Sequence, residues 1–298
     1  MTEYRSGYVA FAGRPNVGKS TLLNRVVGQK LAITSRKAQT TRWNLSGIKT
    51  TPEYQAVCVD TPGLQELPRG ALNRHMNREV RNALAEVDLV VMIAIALKWT
   101  AADASVLAIL RETDRAVILA LNKVDRVGDR RRLLPYINDL PGRETFRAVV
   151  PISARTGENV DRLEQAIGRH LPPGGRLFPE DQVTDQSMRF MAAEFIREKL
   201  MRKLGAEVPY RLSVTIDQYR ESRGSTEIDA IIWVESAGQK GIVIGAGGAL
   251  LKSVGVEARR DLETAIGGKV NLKTWVKVKK GWSADPKALR VLGYAVDP

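Results

Sequence analysis

Apolar residues fall in short runs through the first 170 positions, at 8–12, 54–59, 88–95, 116–121 and 147–152, each of a length suited to a buried strand. Segments with helical spacing lie between or after them, at 19–27, 73–86, 102–112, 129–139 and 158–169. Strand and helix in alternation predict an α/β unit with a mostly parallel sheet covered on both faces. Asn44 to Thr50 and Tyr54 to Val59, joined by Thr51-Pro52-Glu53, predict an antiparallel hairpin at one edge. Leu171-Pro172-Pro173-Gly174-Gly175 then stops the last helix, because proline and glycine cannot carry it further. The pattern divides the chain into domains at 1–171 and 187–298, with a linker at 172–186.

Beyond the linker the order changes to α+β. Ser187 to Leu204 reads as a helix with Phe190, Met191, Phe195, Ile196, Leu200 and Leu204 on its apolar face. Strands are predicted at 211–219 and 227–234 across the turn-like 220–226, followed by the glycine-rich Gly245-Ala246-Gly247-Gly248, a helix near 255–266 and a strand at 270–278. Helix, two strands, GxxG between helices, then a strand is the order of a KH-type RNA-binding domain. In that domain the glycine loop clamps the nucleic-acid backbone, with Lys252, Lys277 and Lys279 as the nearby cations of choice. GxxG alone is equally an ordinary turn, and a lysine run such as Lys269, Lys273, Lys277, Lys279 and Lys280 is equally a solvated face.

The loops after the predicted strands carry the chemistry. Gly13-Arg14-Pro15-Asn16-Val17-Gly18-Lys19-Ser20 matches GxxxxGK[ST] between a strand and a helix, where backbone N–H groups face phosphate. Lys19 would reach the β- and γ-phosphates, and the Ser20 hydroxyl would ligate Mg²⁺. Asp60-Thr61-Pro62-Gly63 supplies a carboxylate at a strand end, able to hold Mg²⁺ through water. Asn122-Lys123-Val124-Asp125 follows another strand, and the Asp125 carboxylate matches the two donors on guanine's edge, which adenine lacks. Ser153-Ala154 could complete the base pocket through a backbone N–H toward guanine O6. GTP, with Mg²⁺, is the ligand these residues select.

Composition adds bounds. The chain has 298 residues and a formal net charge of +13, which favours polyanionic partners. Residues 1–172 hold 26 basic against 17 acidic residues, 173–236 hold 9 against 11, and 237–298 hold 11 against 5, so the last stretch is the densest in positive charge. The single cysteine, Cys58, sits in a strand pattern and reads as a buried small hydrophobe in a reducing compartment. No signal-peptide pattern opens the chain, and the longest apolar run, Leu89 to Leu97, is nine residues where a membrane span needs about 20. A cytosolic protein is expected.

Over essentially its whole length the chain resembles the Era family of bacterial GTPases. The most specific matches are Gly13 through Thr21, Thr34-Ser35-Arg36-Lys37-Ala38-Gln39-Thr40-Thr41-Arg42, Phe178-Pro179-Glu180-Asp181, Ile196-Arg197-Glu198-Lys199-Leu200 and Trp275-Val276-Lys277-Val278-Lys279. The resemblance implies a GTPase that binds the 3′ end of small-subunit ribosomal RNA, assists assembly of the small subunit, acts as a monomer and can meet the inner membrane peripherally. It also implies that Gln39-Thr40-Thr41-Arg42 is switch I, with Thr41, or else Thr40, closing on Mg²⁺; Lys19, Ser20, Thr41, Gly63 and Asn16 are the candidate catalytic residues. Asn16 either helps hold a potassium ion or only shapes its loop. Leu64 stands where many GTPases place the glutamine that orients water, so slow intrinsic hydrolysis is expected. Gly241, Gly247 and Leu250 replace lysines common around the family's GxxG loop, and Ile95-Ala96-Leu97 replaces a more polar stretch. Two rival readings are a nucleotide-gated RNA-binding protein with negligible turnover and another ribosome-associated GTPase.

Overall fold

The computed structural model describes residues 3–35, 37, 40–64, 71–205 and 208–292. The chain divides into two compact units, one made of 1–34, 41–68 and 76–185, the other of 35–40, 69–75 and 186–298.

In the first unit, β1 (Arg5–Ala12), β3 (Tyr54–Asp60), β4 (Leu89–Ile95), β5 (Ala116–Asn122) and β6 (Phe146–Pro151) run parallel, and β2 (Leu45–Thr50) pairs antiparallel with β3 at the edge, in the order β2-β3-β1-β4-β5-β6. The parallel α/β sheet and edge hairpin of the sequence reading are both present. β4 is Leu-Val-Val-Met-Ile-Ala-Ile and buried over six of its seven residues, as a strand covered on both faces must be. The helices are α1 (Lys19–Val27), α2 (Ala71–Glu86), α3 (Ala101–Arg111), α4 (Leu133–Asn138) and α5 (Val160–His170). α4 is shorter than the predicted 129–139, because Asp129 accepts from Arg131 N and winds 130–132 into a tighter 3₁₀ turn first. Cys58 lies in the core at 0 % exposure, and burial pushes its thiol up to about 12.

The segment expected as a linker is held along the sheet edge. Leu177 N and Phe178 N donate to Gln55 Oε1 at 2.7 and 2.9 Å, and Gln55 Nε2 donates back to Phe178 O at 2.9 Å. Ile48 N donates to Val183 O at 2.9 Å, and Thr184 Oγ1 to Ser46 O at 2.7 Å.

The second unit contains α6 (Met188–Lys203), β7 (Leu212–Ser222), β8 (Ser225–Val234), α7 (Ala237–Ile244), α8 (Ala249–Ile266), β9 (Lys269–Val278) and α9 (Pro286–Val291). β7 and β8 are antiparallel, β8 and β9 parallel. α8 begins six residues before the predicted 255, since Val254, Ala258 and Leu262 form one buried stripe that its first turns extend. α7 is the helix expected before the GxxG turn, there without bounds, and α9 is an addition to the sequence reading. Both carry side-chain caps, Ser236 accepting from Gln239 N and Asp285 from Lys287 N. Buried charge on α6 also escaped the apolar pattern: Glu198 is 0 % exposed and meets Lys199 and Arg202, and Lys199 reaches Asp261 of α8 at 2.5 Å. Lys37, from the short 35–40 segment, donates to Met201 O and Leu204 O at the end of α6. Among the described residues no single helix is long and apolar enough to cross a membrane.

Candidate nucleotide and nucleic-acid sites

The carboxyl ends of β1, β3, β5 and β6 present the sequence-singled loops on one edge of the sheet, where β1 lies between β3 and β4 and the strand order reverses. After β1, residues Gly13 to Gly18 loop into α1. Asn16 takes a left-handed backbone at φ 65°, a conformation asparagine tolerates. Gly18 sits at φ 109°, and a Cβ there would meet Asn122 Nδ2 at 2.4 Å, so only glycine fits. Val17, Lys19 and Asp60 are buried, and Thr21 follows Ser20 in the first turn of α1. Lys19 Nζ donates to Gly13 O and Arg14 O at 3.0 and 3.2 Å. Burial pushes its ammonium down to about 8, while Asp60 opposes that shift. A buried ammonium among carbonyls is suited to receive phosphate oxygens.

The metal-ligating candidates converge. Ser20 Oγ donates to Asp60 Oδ2 at 2.6 Å, Thr41 Oγ1 donates to the same oxygen at 3.1 Å, and the two hydroxyls are 2.9 Å apart. Asp60 Oδ1 is buried and has no hydrogen-bond partner. Two hydroxyls and a carboxylate with an orphaned oxygen form a hard-oxygen set that fits Mg²⁺. Thr40 faces elsewhere, donating from Oγ1 to Lys37 O at 2.7 Å, and Arg36, Ala38 and Gln39 lie outside the described residues. Thr61 Oγ1 donates to Phe11 O at 2.8 Å and anchors the loop through Pro62 and Gly63, where a Cβ on Gly63 would come within 2.9 Å of the Pro15 backbone.

On the base side, Ser153 Oγ donates to Asp125 Oδ1 at 2.7 Å, and Arg155 Nη2 to Oδ2 at 2.6 Å. The serine bond first, then Arg155, holds the Asp125 carboxyl below its usual range, keeping it an acceptor. Asn122 stitches three loops: its Nδ2 donates to Val17 O at 2.7 Å, while its Oδ1 accepts from Lys123 N at 2.7 Å and Ala154 N at 2.9 Å. Of the backbone N–H groups expected to offer one donor to guanine O6, that of Ala154 is engaged with Asn122. Lys123, left-handed at φ 69°, donates from Nζ to Asn16 O at 2.6 Å and joins the base loop to the phosphate loop.

The second unit offers a groove of about 610 Å³ lined by Gly248, Lys252 and Arg259 on the α8 side and by Lys273 of β9, with the acidic Glu227 and Asp229 of β8 also in its wall. Gly245, Gly247 and Gly248 all have positive φ, at 75°, 54° and 80°, so the GxxG turn at its mouth follows a left-handed path that glycine takes without strain. A Cβ on Gly247 would meet nothing within 4 Å. Ala246 is exposed at the turn. Lys277 and Lys279 lie outside the groove lining: Lys277 stands 5.9 Å from the centre of the Trp233 ring, and Lys279 N donates to Val234 O at 2.8 Å.

Family models match both units: a 50S ribosome-binding GTPase over residues 8–123 and a KH domain over 207–283. The chain is 52 % identical over 290 residues to the GTPase Era of Ectopseudomonas mendocina (strain ymp), with 97 % of each chain covered. It is also 52 % identical over 289 residues to GTPase Era of Haemophilus influenzae (strain PittGG), covering 97 % of this chain and 96 % of the relative. The chain belongs to the Era GTPase family. A crystal structure of Era in complex with MgGDPNP and nucleotides 1506–1542 of 16S ribosomal RNA is similar at TM-score 0.94 and 37 % identity, over 98 % of this chain and 100 % of that one. A point variant of Aquifex aeolicus Era bound to GDP·AlF4⁻ matches with the same score, identity and coverage.

As an Era family member the protein is a GTPase with a P-loop G domain and a KH domain. Several residues that brace the candidate nucleotide loops escaped sequence reasoning. Asp103 of α3 is 0 % exposed and takes Arg14 Nε at 3.0 Å while closing the capping box with Thr100. Arg25 of α1 donates to Ala154 O and Arg155 O, at 3.3 and 2.6 Å. Only the T-x-x-D spacing at Thr100 and Asp103 was a readable signal, and it announces a helix cap rather than a brace for the phosphate loop. Leu64 is 7 % exposed and packs with Ala10, Ala12, Val80 and Leu84 in the core.

Proposed function

We propose that this protein is a GTP-driven switch that binds the 3′ end of small-subunit ribosomal RNA through its KH unit and assists small-subunit assembly. The convergence of Ser20, Thr41 and Asp60 on one buried oxygen carries the nucleotide half of this reading. Lys19, Gly13 to Thr21 and Gly63 hold the phosphates, Asn122, Lys123, Asp125, Ser153 and Ala154 hold the base, and Ser20, Thr41 and Asp60 hold Mg²⁺. Gly245 to Gly248 and Lys252 meet the RNA backbone in the groove, with Lys277 and Lys279 beyond it. The family relative seen with Mg-nucleotide and 16S RNA nucleotides supports both halves.

The functional domains in this reading are 1–171 and 187–298, with 172–186 joining them. The protein works as a cytoplasmic monomer, with peripheral contact at the inner membrane checked by vesicle co-sedimentation. Intrinsic turnover is slow, since the buried Leu64 offers no group to orient water. A potassium ion beside Asn16 would offset charge on the transferring phosphoryl group. Multiple-turnover GTPase assays are expected to show Mg²⁺-dependent hydrolysis that is faster in potassium than in sodium and faster with the 16S 3′-end RNA. Equal rates in the two salts for parent and Asn16→Ala would remove the potassium role. Rates indifferent to RNA would separate nucleotide turnover from the KH unit.

A further inference from the structure

β9 alternates between two faces. Val270 and Val276 are buried, whereas Lys269, Asn271, Lys273, Trp275 and Lys277 are exposed, so the period of two sets these five on the side turned away from the core. The parallel register puts Asp229 beside Lys273, Ile231 beside Trp275 and Trp233 beside Lys277. β9 is also an edge strand.

Trp233 is fixed in place. Its indole N–H donates to Thr215 Oγ1 at 2.9 Å, and the Lys277 ammonium lies 5.9 Å from its ring centre. Trp275 is 44 % exposed, while its neighbour Ile231 is only 6 % exposed. Cover for its register partner Ile231 could come from a leucine as well as from an indole. It accounts neither for the exposed ring nor for the lysines on either side of it along the strand. Aromatic rings on a sheet face, flanked by cations, are how sheet-based nucleic-acid binders hold unpaired bases. Lys273 and Asn271 also line the GxxG groove, so the strip begins where the groove ends.

We infer that the outer face of β8 and β9 is a second platform for single-stranded RNA, on which one base stacks against Trp275 while Lys273 and Lys277 meet the neighbouring phosphates. The inference rests on reading the GxxG groove as an RNA site, and it extends the bound strand beyond the roughly four nucleotides such a groove clamps. Asp229, partly exposed beside Lys273, offsets part of the charge and leaves Lys277 the stronger phosphate partner.

The test uses the full chain and fluorescently labelled unstructured RNAs of about 4 and about 12 nucleotides, read by anisotropy. Trp275→Leu keeps an apolar side chain beside Ile231 but removes the aromatic face. It should weaken binding of the longer RNA by roughly 5- to 150-fold, the range of one stacked base, and leave the shorter RNA unaffected. Trp275→Phe should restore most of the loss, which a merely structural role would not predict for RNA of one length only. Lys277→Ala should lower the salt slope for the longer RNA by about 0.7. Gly247→Asp, at the groove, should weaken both lengths. If Trp275→Leu binds both RNAs like the parent while Gly247→Asp weakens both, the platform is overturned and the groove stands. If Gly247→Asp changes neither, the groove reading fails, and loss of length-dependent binding in Trp275→Leu would then no longer describe an extension of it.

Discussion

Asp125 has two carboxylate oxygens, and Ser153 and Arg155 each orient one of them toward a fixed direction. Guanine specificity is therefore expected to depend on geometry as well as charge, with guanine's N1–H and 2-amino group donating to the lone pairs that remain. Replacing one oxygen with an amide donor reverses that match. Asp125→Asn should lose about 3 kcal/mol of GTP affinity, roughly 150-fold, and gain xanthosine triphosphate, whose 2-oxo group accepts. Competition of both nucleotides against a fluorescent GDP analogue measures it; an unchanged preference for GTP would refute the assignment. Leu64 teaches the opposite lesson. Its place after Asp60-Thr61-Pro62-Gly63 invites restoring a glutamine, yet the side chain sits among Ala10, Ala12, Val80 and Leu84. Leu64→Gln is expected to bury an amide without partners at a cost of about 1–3 kcal/mol, lowering the thermal midpoint without raising the GTPase rate. A faster enzyme of undiminished stability would show that the side chain can leave the core.

At the scale of elements, the edge of the sheet gains a covering that no strand supplies. Gln55 is 0 % exposed, and one amide side chain satisfies Leu177 N, Phe178 N and Phe178 O together. Gln55→Ala would leave two donors and an acceptor seeking water, so urea unfolding should show a loss of about 2–3 kcal/mol. Limited proteolysis should cut between 173 and 184 sooner than in the parent. Resistance equal to the parent's would mean that the bonds from Ile48 and Thr184 suffice to hold the segment.

For the whole molecule, electrostatics set the affinity for a polyanion more than any single contact does. Residues 237–298 carry 11 basic against 5 acidic residues, but the GxxG turn itself holds none. Gly247→Lys adds a cation at a position where a Cβ meets open space, at the cost of a left-handed backbone for a side-chain-bearing residue, about 1–2 kcal/mol. Binding of single-stranded RNA should tighten at low salt and depend on salt more steeply by about 0.7 in log–log slope. Filter binding across a salt series checks it, and parallel lines for variant and parent would put the RNA backbone away from this turn.

The βα alternation, the edge hairpin and the α+β order after residue 186 were legible in the sequence because each strand's burial is written in its own residues. Gly13 to Ser20, Asp60 to Gly63 and Asn122 to Asp125 were legible because their chemistry depends on spacing within one loop. What brings those loops together was not. Asp103 bracing Arg14, Asn122 tying Val17 to Ala154, Lys123 reaching Asn16 and Gln55 holding Leu177 and Phe178 all join residues far apart in the chain. Sequence pattern reports periodicity and local turns, whereas a buried polar group finds its partner only once strands are ordered β2-β3-β1-β4-β5-β6 and their carboxyl ends share one edge. α7 and the early start of α8 were decided in the same way, by burial of Val243 and Val254 against the second sheet's unit rather than by helix propensity in a stretch rich in glycine.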